Sequence, residues 1–182
     1  MRYNFTFRQI AITNFNRAAV ELEQVGADHA DLRGFNLLDP YQTLCKLPTI
    51  VAWLQQHKLT VDRTAFLHVS KHTHWDIHID HGSHDVALNL PISGCTNAST
   101  HFYKFREEAI STLTKSRGTG LPYLEYYDPN PELVDVYYLT KPAVLNIKMP
   151  HSVSNSTDID RVCLSLRFRQ DESFDTWIDS ML

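Results

Sequence analysis

The chain has 182 residues, is 43% hydrophobic and carries a formal charge of -4 with a pI near 6.2. That is enough apolar material for one filled core, so one domain over 1–182 is expected, and the acidic balance argues against nucleic acid as a partner. Cys45, Cys95 and Cys163 are odd in number and widely spaced, with no Cys-Xaa-Xaa-Cys pair to suggest zinc or a disulfide framework. No run reaches the roughly 18 apolar residues of a membrane span, and Met1-Arg2-Tyr3-Asn4 does not open a signal peptide. A soluble, unprocessed, cytoplasmic protein with reduced thiols is the expectation.

The first third, 1–63, reads as a mostly helical flank. Phe15, Ala18, Ala19, Leu22 and Val25 recur at helical spacing behind Thr13 and Asn14, which can cap, and a second helix is predicted from Pro48 through Ile50, Val51 and Leu54. From Thr64 the period changes to two. Seven short strands follow, Phe66 to Ser70, His74 to Asp80, Ala87 to Ile92, His101 to Phe105, Val134 to Leu139, Ala143 to Met149 and Val162 to Phe168. Strands in this number after two helices predict a mainly β jelly roll or closed sandwich over 64–168. The insert at 106–132, with Gly118, Gly120, Pro122, Pro129 and Pro131, reads as a lid, a binding loop or a disordered stretch. Over 169–182, Phe174, Trp177, Ile178, Met181 and Leu182 form one face of a short helix. That helix is expected to pack on the barrel, with dimerisation the lesser alternative, so the chain should be a monomer or a weak homodimer.

Seven of the ten histidines, His68, His72, His74, His78, His81, His84 and His101, fall within 34 residues. They alternate with strand formers and do not make a tract, which favours a metal site. In His74-Trp75-Asp76-Ile77-His78-Ile79-Asp80 a regular strand sends every even-numbered, ionisable residue to one face and Trp75, Ile77 and Ile79 to the other. Buried imidazoles and carboxylates need a cation or a hydrogen-bond network. Two His-Xaa-Asp pairs compete. His78 and Asp80 adjoin the turn His81-Gly82-Ser83-His84-Asp85 and are preferred as ligands over His74 and Asp76, which are left as a supporting pair or a solvated rim. His151, from another strand, is the candidate third ligand of a facial triad that keeps positions open for a cosubstrate and oxygen. Trp75 is expected in the core. His72, His81, His84 and His101 are expected in solvent.

On the last strand Arg161, Cys163, Ser165 and Arg167 share one face and Val162, Leu164, Leu166 and Phe168 the other. The apolar face should meet the helices, leaving Arg161 and Ser165 to line the barrel. A buried guanidinium needs an anion and suits a carboxylate, an acidic side chain of the chain itself being the alternative.

His78-Ile79-Asp80, His151 and Arg161 ten positions later resemble the signature of Fe(II)/2-oxoglutarate-dependent dioxygenases. The strings Ala87-Leu88-Asn89-Leu90-Pro91-Ile92 and Arg161-Val162-Cys163-Leu164-Ser165-Leu166-Arg167-Phe168 resemble the branch near the aspartyl/asparaginyl β-hydroxylases. The resemblance spans Phe66 to Phe168 without the insert. It implies a double-stranded β-helix, Fe(II) held by His78, Asp80 and His151, and Arg161 on the distal carboxylate of 2-oxoglutarate. It also implies O2-driven oxidation of a C–H bond in an amino-acid side chain, a peptide or a small metabolite. A second arginine used by that branch has no counterpart, since Ala87 stands at its place; Asn89 and Tyr103 are the substitutes by polarity and strand position. The alternatives are a cupin-like metal enzyme that does not use 2-oxoglutarate, and a non-catalytic barrel binding a small acid or sugar.

Overall fold

The structure, a computed structural model, describes residues 6–116, 119–169, 173, 174, 176 and 177. Two six-stranded antiparallel sheets face each other in a jelly roll. The major sheet is built from β1 (Phe7–Gln9), β2 (Gly34–Leu38), β3 (Val61–Val69), β5 (Val86–Ser93), β10 (Ala143–Asn146) and β12 (Arg161–Phe168), in the order β1-β10-β5-β12-β3-β2. The minor sheet is built from β4 (Thr73–Asp80), β6 (Ser99–Tyr103), β7 (Ile110–Lys115), β8 (Pro122–Tyr127), β9 (Leu133–Tyr138) and β11 (His151–Asn155), in the order β7-β8-β4-β11-β6-β9.

Alternation on the major sheet sorts its residues into two cores. Leu88, Leu90, Leu164, Leu166 and Phe168 pack outward, where helices α1 (Phe15–Asp28) and α3 (Pro48–Gln56) deliver Leu22, Val25, Ile50 and Leu54. Ala65, Leu67, Ala87 and Cys163 turn inward against Phe102, Tyr137 and Leu145. Small residues on the inner face of β3 and β5 leave room between the sheets. Phe174 and Trp177 join the outer core, with Trp177 stacked on Phe168 at 5.5 Å, so these C-terminal residues pack on the fold as expected. Ile178, Met181 and Leu182 lie outside the described residues.

Several local expectations change. Asn14 does not cap α1 through its side chain: its backbone is left-handed at φ 60°. The first turn of α3 is served instead by Glu21, which accepts from the Thr49 backbone N–H at 3.0 Å and its hydroxyl at 2.6 Å. The flank also contains α2 (Pro40–Leu44), capped by Asp39, and two edge strands, β1 and β2, too short to show a period of their own. The 106–132 insert contains a β-hairpin, in which β7 pairs with β8 and β8 with β4. Its strands were not legible because β7 is solvated on nearly every residue and so lacks the apolar alternation that marks a half-buried strand.

The connection from β11 to β12 sets where His151 and Arg161 stand. Asn155, 1% exposed, donates to the carbonyls of Val69, Ser70 and Ile159 and so ties this turn to the end of β3. Gly94, at φ +61°, passes directly over it; a Cβ there would lie 2.1 Å from the Asp160 carbonyl oxygen. Replacing Asn155 by Ala leaves three carbonyls short of a donor and is expected to lower unfolding free energy by about 2–3 kcal/mol, measured by chemical denaturation.

Candidate metal centre

His78 and His151 are direct cross-strand partners on β4 and β11. Two residues further along β11, Val153 pairs with Trp75, so three residues of β4 are spent against two of β11 and a bulge lies at Asp76–Ile77. The bulge resets the alternation. Trp75 packs against the inner core, while His74 and Asp76 are exposed and His78 and Asp80 are drawn in. The uniformly ionisable face expected of a regular strand is therefore split, and His74 and Asp76 are left on the rim.

The ligand atoms of His78, Asp80 and His151 lie within 4.8 Å of one another, the one such group among the described residues. Both rings are held for ligation. His78 Nδ1 lies 2.8 Å from the Asp76 carbonyl oxygen and His151 Nδ1 lies 2.9 Å from that of Met149. A carbonyl can only accept, so each Nδ1 carries a proton and Nε2 is the atom of each ring left to ligate. Burial, and then the neighbouring His78, push the His151 imidazole down to about 4, so it is neutral at physiological pH. Burial pushes the Asp80 carboxyl up, but the charge of Arg167 foremost holds it below the usual carboxylate range. Two imidazoles and one carboxylate from two adjacent strands form an open donor set that suits a divalent ion such as Fe(II).

Arg167 is the group that the motif reading placed on the inner face without a role. Its Nη2 meets Asp80 Oδ2 at 2.8 Å and its Nη1 donates to Ser165 Oγ at 2.5 Å, so it orients the carboxylate ligand from the opposite sheet. Ser165, expected beside Arg161, is engaged here instead. Arg161 is 1% exposed and reaches Thr100 Oγ1 at 3.4 Å, yet its Nε has no acceptor and no carboxylate pairs with it among the described residues. Thr100 is the partner of Val153 across β11 and β6, two residues or roughly 7 Å along the strand from His151. The interior thus carries a cluster able to hold a metal and, one step deeper, an arginine without a carboxylate partner among the described residues. Asn89 lies on this inner face opposite Ser165, with its Oδ1 unpartnered. Tyr103 is brought elsewhere: its hydroxyl lies 3.2 Å from Ser152 Oγ, on the side of β11 away from His151. Of the other histidines, His72 and His81 are exposed, whereas His84 and His101 are partly covered and bonded to Asp62 and Ser99. Burial pushes the Cys95 thiol up to about 12 and the Cys163 thiol up as well, so neither offers a thiolate.

A cleft of about 470 Å³ opens beside the triad between the two sheets. Phe35, Arg63, Ala65 and Arg167 come from the major sheet, and Trp75, Ile77, His78, Asp80, Tyr123 and Glu125 from the minor one. Tyr123 and Glu125 are supplied by the hairpin, directly paired with Asp80 and His78.

No family model and no curated protein matches the chain. Solved structures do. The apo form of ThoJ, described as a non-heme monooxygenase, is 13% identical, with 90% of this chain and 72% of that one covered at a TM-score of 0.52. HygX from Streptomyces hygroscopicus, solved with nickel and 2-oxoglutarate bound, is 13% identical over 90% of this chain and 81% of its own, with a TM-score of 0.51. SnoN, a non-heme alpha ketoglutarate dependent epimerase from nogalamycin biosynthesis, is 11% identical over 90% and 77%, also at 0.51. The chain shares the jelly-roll fold of these oxygenases. No helix among the described residues is long and apolar enough to cross a membrane.

Two outcomes check the centre. The folded value of His151 lies below the ordinary 6.5, so protonation opposes folding: stability of the metal-free protein is full above pH 6.5 and falls towards pH 4, by at most about 1.4 kcal/mol per pH unit. Denaturation curves across this range read the slope, and His151→Gln flattens it. Arg167→Met strands Asp80, and Mn(II) titration should show affinity reduced about tenfold or more, with uptake displaced to higher pH, while His74→Ala changes affinity by less than about twofold.

Proposed function

We propose that the chain is an Fe(II)/2-oxoglutarate-dependent oxygenase that hydroxylates an amino-acid side chain, a peptide or a small metabolite. The observation that carries this reading is Arg161, a fully buried guanidinium whose Nε lacks an acceptor and which has no carboxylate of the chain to neutralise it among the described residues. Leaving such a charge unpaired costs several kcal/mol, roughly, so the site requires an anion from outside. The carboxylate of a small diacid supplies it, and the planar fork of arginine suits that group. Its distance along the barrel from His151 supports a molecule gripped at one end by Arg161 and Thr100 and at the other by the metal.

The donor set of His78, Asp80 and His151 fits Fe(II), which with 2-oxoglutarate and O2 supplies the oxidising power for C–H hydroxylation. Every other task belongs to the chain. The Asp76 and Met149 carbonyls fix the imidazole tautomers, and Arg167 keeps Asp80 ionised and aimed. Phe102, in ring contact with His151 at 6.0 Å, and the inner core around it keep water from the deep side of the site. The likeness to HygX with 2-oxoglutarate bound supports the same reading through the fold. The strings Ala87–Ile92 and Arg161–Phe168 support a place near the aspartyl/asparaginyl β-hydroxylase-like branch.

Anaerobic addition of Fe(II) and 2-oxoglutarate should produce a visible charge-transfer band that His78→Ala abolishes and Arg161→Ala weakens. A protein that binds Fe(II) tightly but shows no band would instead be a metal enzyme of the cupin type that does not use 2-oxoglutarate.

A further inference from the structure

Two arginines meet at the mouth of the cleft and only one is neutralised. Arg63 and Arg167 are directly opposed on β3 and β12. Arg167 gives its charge to Asp80. Arg63 is half-buried and lines the same cleft, but it has no hydrogen-bond or ion-pair partner among the described residues. The adjacent Asp62 is taken up by His84 at 3.0 Å and Arg169 at 3.8 Å. Like charges directly opposed destabilise an antiparallel pair. Folding alone does not account for an arginine here.

The facing wall has the opposite sign. Glu125 is the direct neighbour of His78 on the hairpin, where it accepts from the Tyr123 hydroxyl at 3.2 Å, and Asp76 lines the same side. Phe35, Trp75 and Ile77 also line the cleft. A ligand carboxylate is drawn to Arg63, a second carboxylate is repelled by Glu125 and Asp76, and the intervening carbon chain finds apolar cover beside the triad. Arg161 belongs to a different anion. It begins β12 six residues from Arg167, roughly 20 Å along the strand, so a five-carbon diacid seated on Arg161 and the metal leaves Arg63 for another molecule.

We propose that Arg63 anchors the carboxylate of the molecule to be oxidised, and that this molecule is a monocarboxylate with a neutral or basic remainder, the chemistry of a free α-amino acid such as leucine or lysine. The assignment of this molecule as the one oxidised rests on the oxygenase reading; its binding does not.

Calorimetric titration of the full chain, with Mn(II) as a redox-inert ion and 2-oxoglutarate present, tests it with L-lysine, L-leucine, cadaverine and L-glutamate as probes. Lysine and leucine should bind, with cadaverine, which lacks only the carboxylate of lysine, and glutamate each weaker by about tenfold or more. Arg63→Gln should weaken lysine and leucine by a similar factor, change 2-oxoglutarate affinity by less than about twofold, and leave the melting temperature unchanged or raised. Arg63→Lys should retain part of the binding. The proposal is overturned if cadaverine matches lysine, if no amino acid binds to protein that binds 2-oxoglutarate, if Arg63→Gln weakens 2-oxoglutarate instead, or if it lowers the melting temperature. Amino-acid binding that depends on Arg63 in a protein indifferent to 2-oxoglutarate would remove the oxygenase reading and keep the anchor.

Discussion

The pairing of β4 with β11, with its one-residue bulge, is the constraint on which the rest of the site depends. Without the bulge, Trp75 and His78 would face opposite sides of the minor sheet; with it, Trp75 enters the core, His78 lies over His151, and His74 and Asp76 are put out to solvent. A single extra residue thus selects one His-Xaa-Asp pair out of two. It also frees the Asp76 carbonyl to accept from His78 Nδ1. The exposure of each His-Xaa-Asp pair and the Nδ1 contact of His78 follow from the same irregularity.

Around that pairing the interior is organised by where positive charge is placed on β12. Arg167 is neutralised within the chain by Asp80 and links the two sheets at the metal-ligand cluster. Arg161, at the other end of the same face, is enclosed, reaches Thr100 Oγ1 and has no carboxylate partner among the described residues. One arginine therefore stabilises the fold and organises the site, and the other is a cost that only an incoming anion offsets. The inner faces of β3 and β5 contribute Ala65 and Ala87 to the core between the sheets, and Ala65 also lines the cleft.

The hairpin of β7 and β8 widens the minor sheet beyond β4 and so gives the cleft a second wall. Without the hairpin β4 would be an edge strand, exposing unpaired N–H and C=O groups beside the site. Here the edge is moved outward by two strands, and the side chains facing the cleft, Tyr123 and Glu125, are supplied by a segment that carries almost none of the core.

Much of this was legible in the chain. The change from helical period to period two near Thr64, the apolar stripe from Phe15 to Val25, and the alternation of Arg161 to Phe168 each reflect a face that must be buried, and burial writes itself into composition. The pattern also singled out His78, Asp80, His151 and Arg161. What local pattern could not contain was the bulge at Asp76–Ile77, because a bulge is a mismatch between two strands and belongs to neither alone. For the same reason the pairing of Arg63 with Arg167, the capture of Ser165 by Arg167, and the turning of Tyr103 toward Ser152 were settled by register between strands distant in the chain. The sequence by itself determined which segments must bury an apolar face and which side chains are able to bind a metal or an anion, since those are properties of side chains in order. Only the tertiary structure decided which of them meet, since that depends on how far each strand slides against its neighbour.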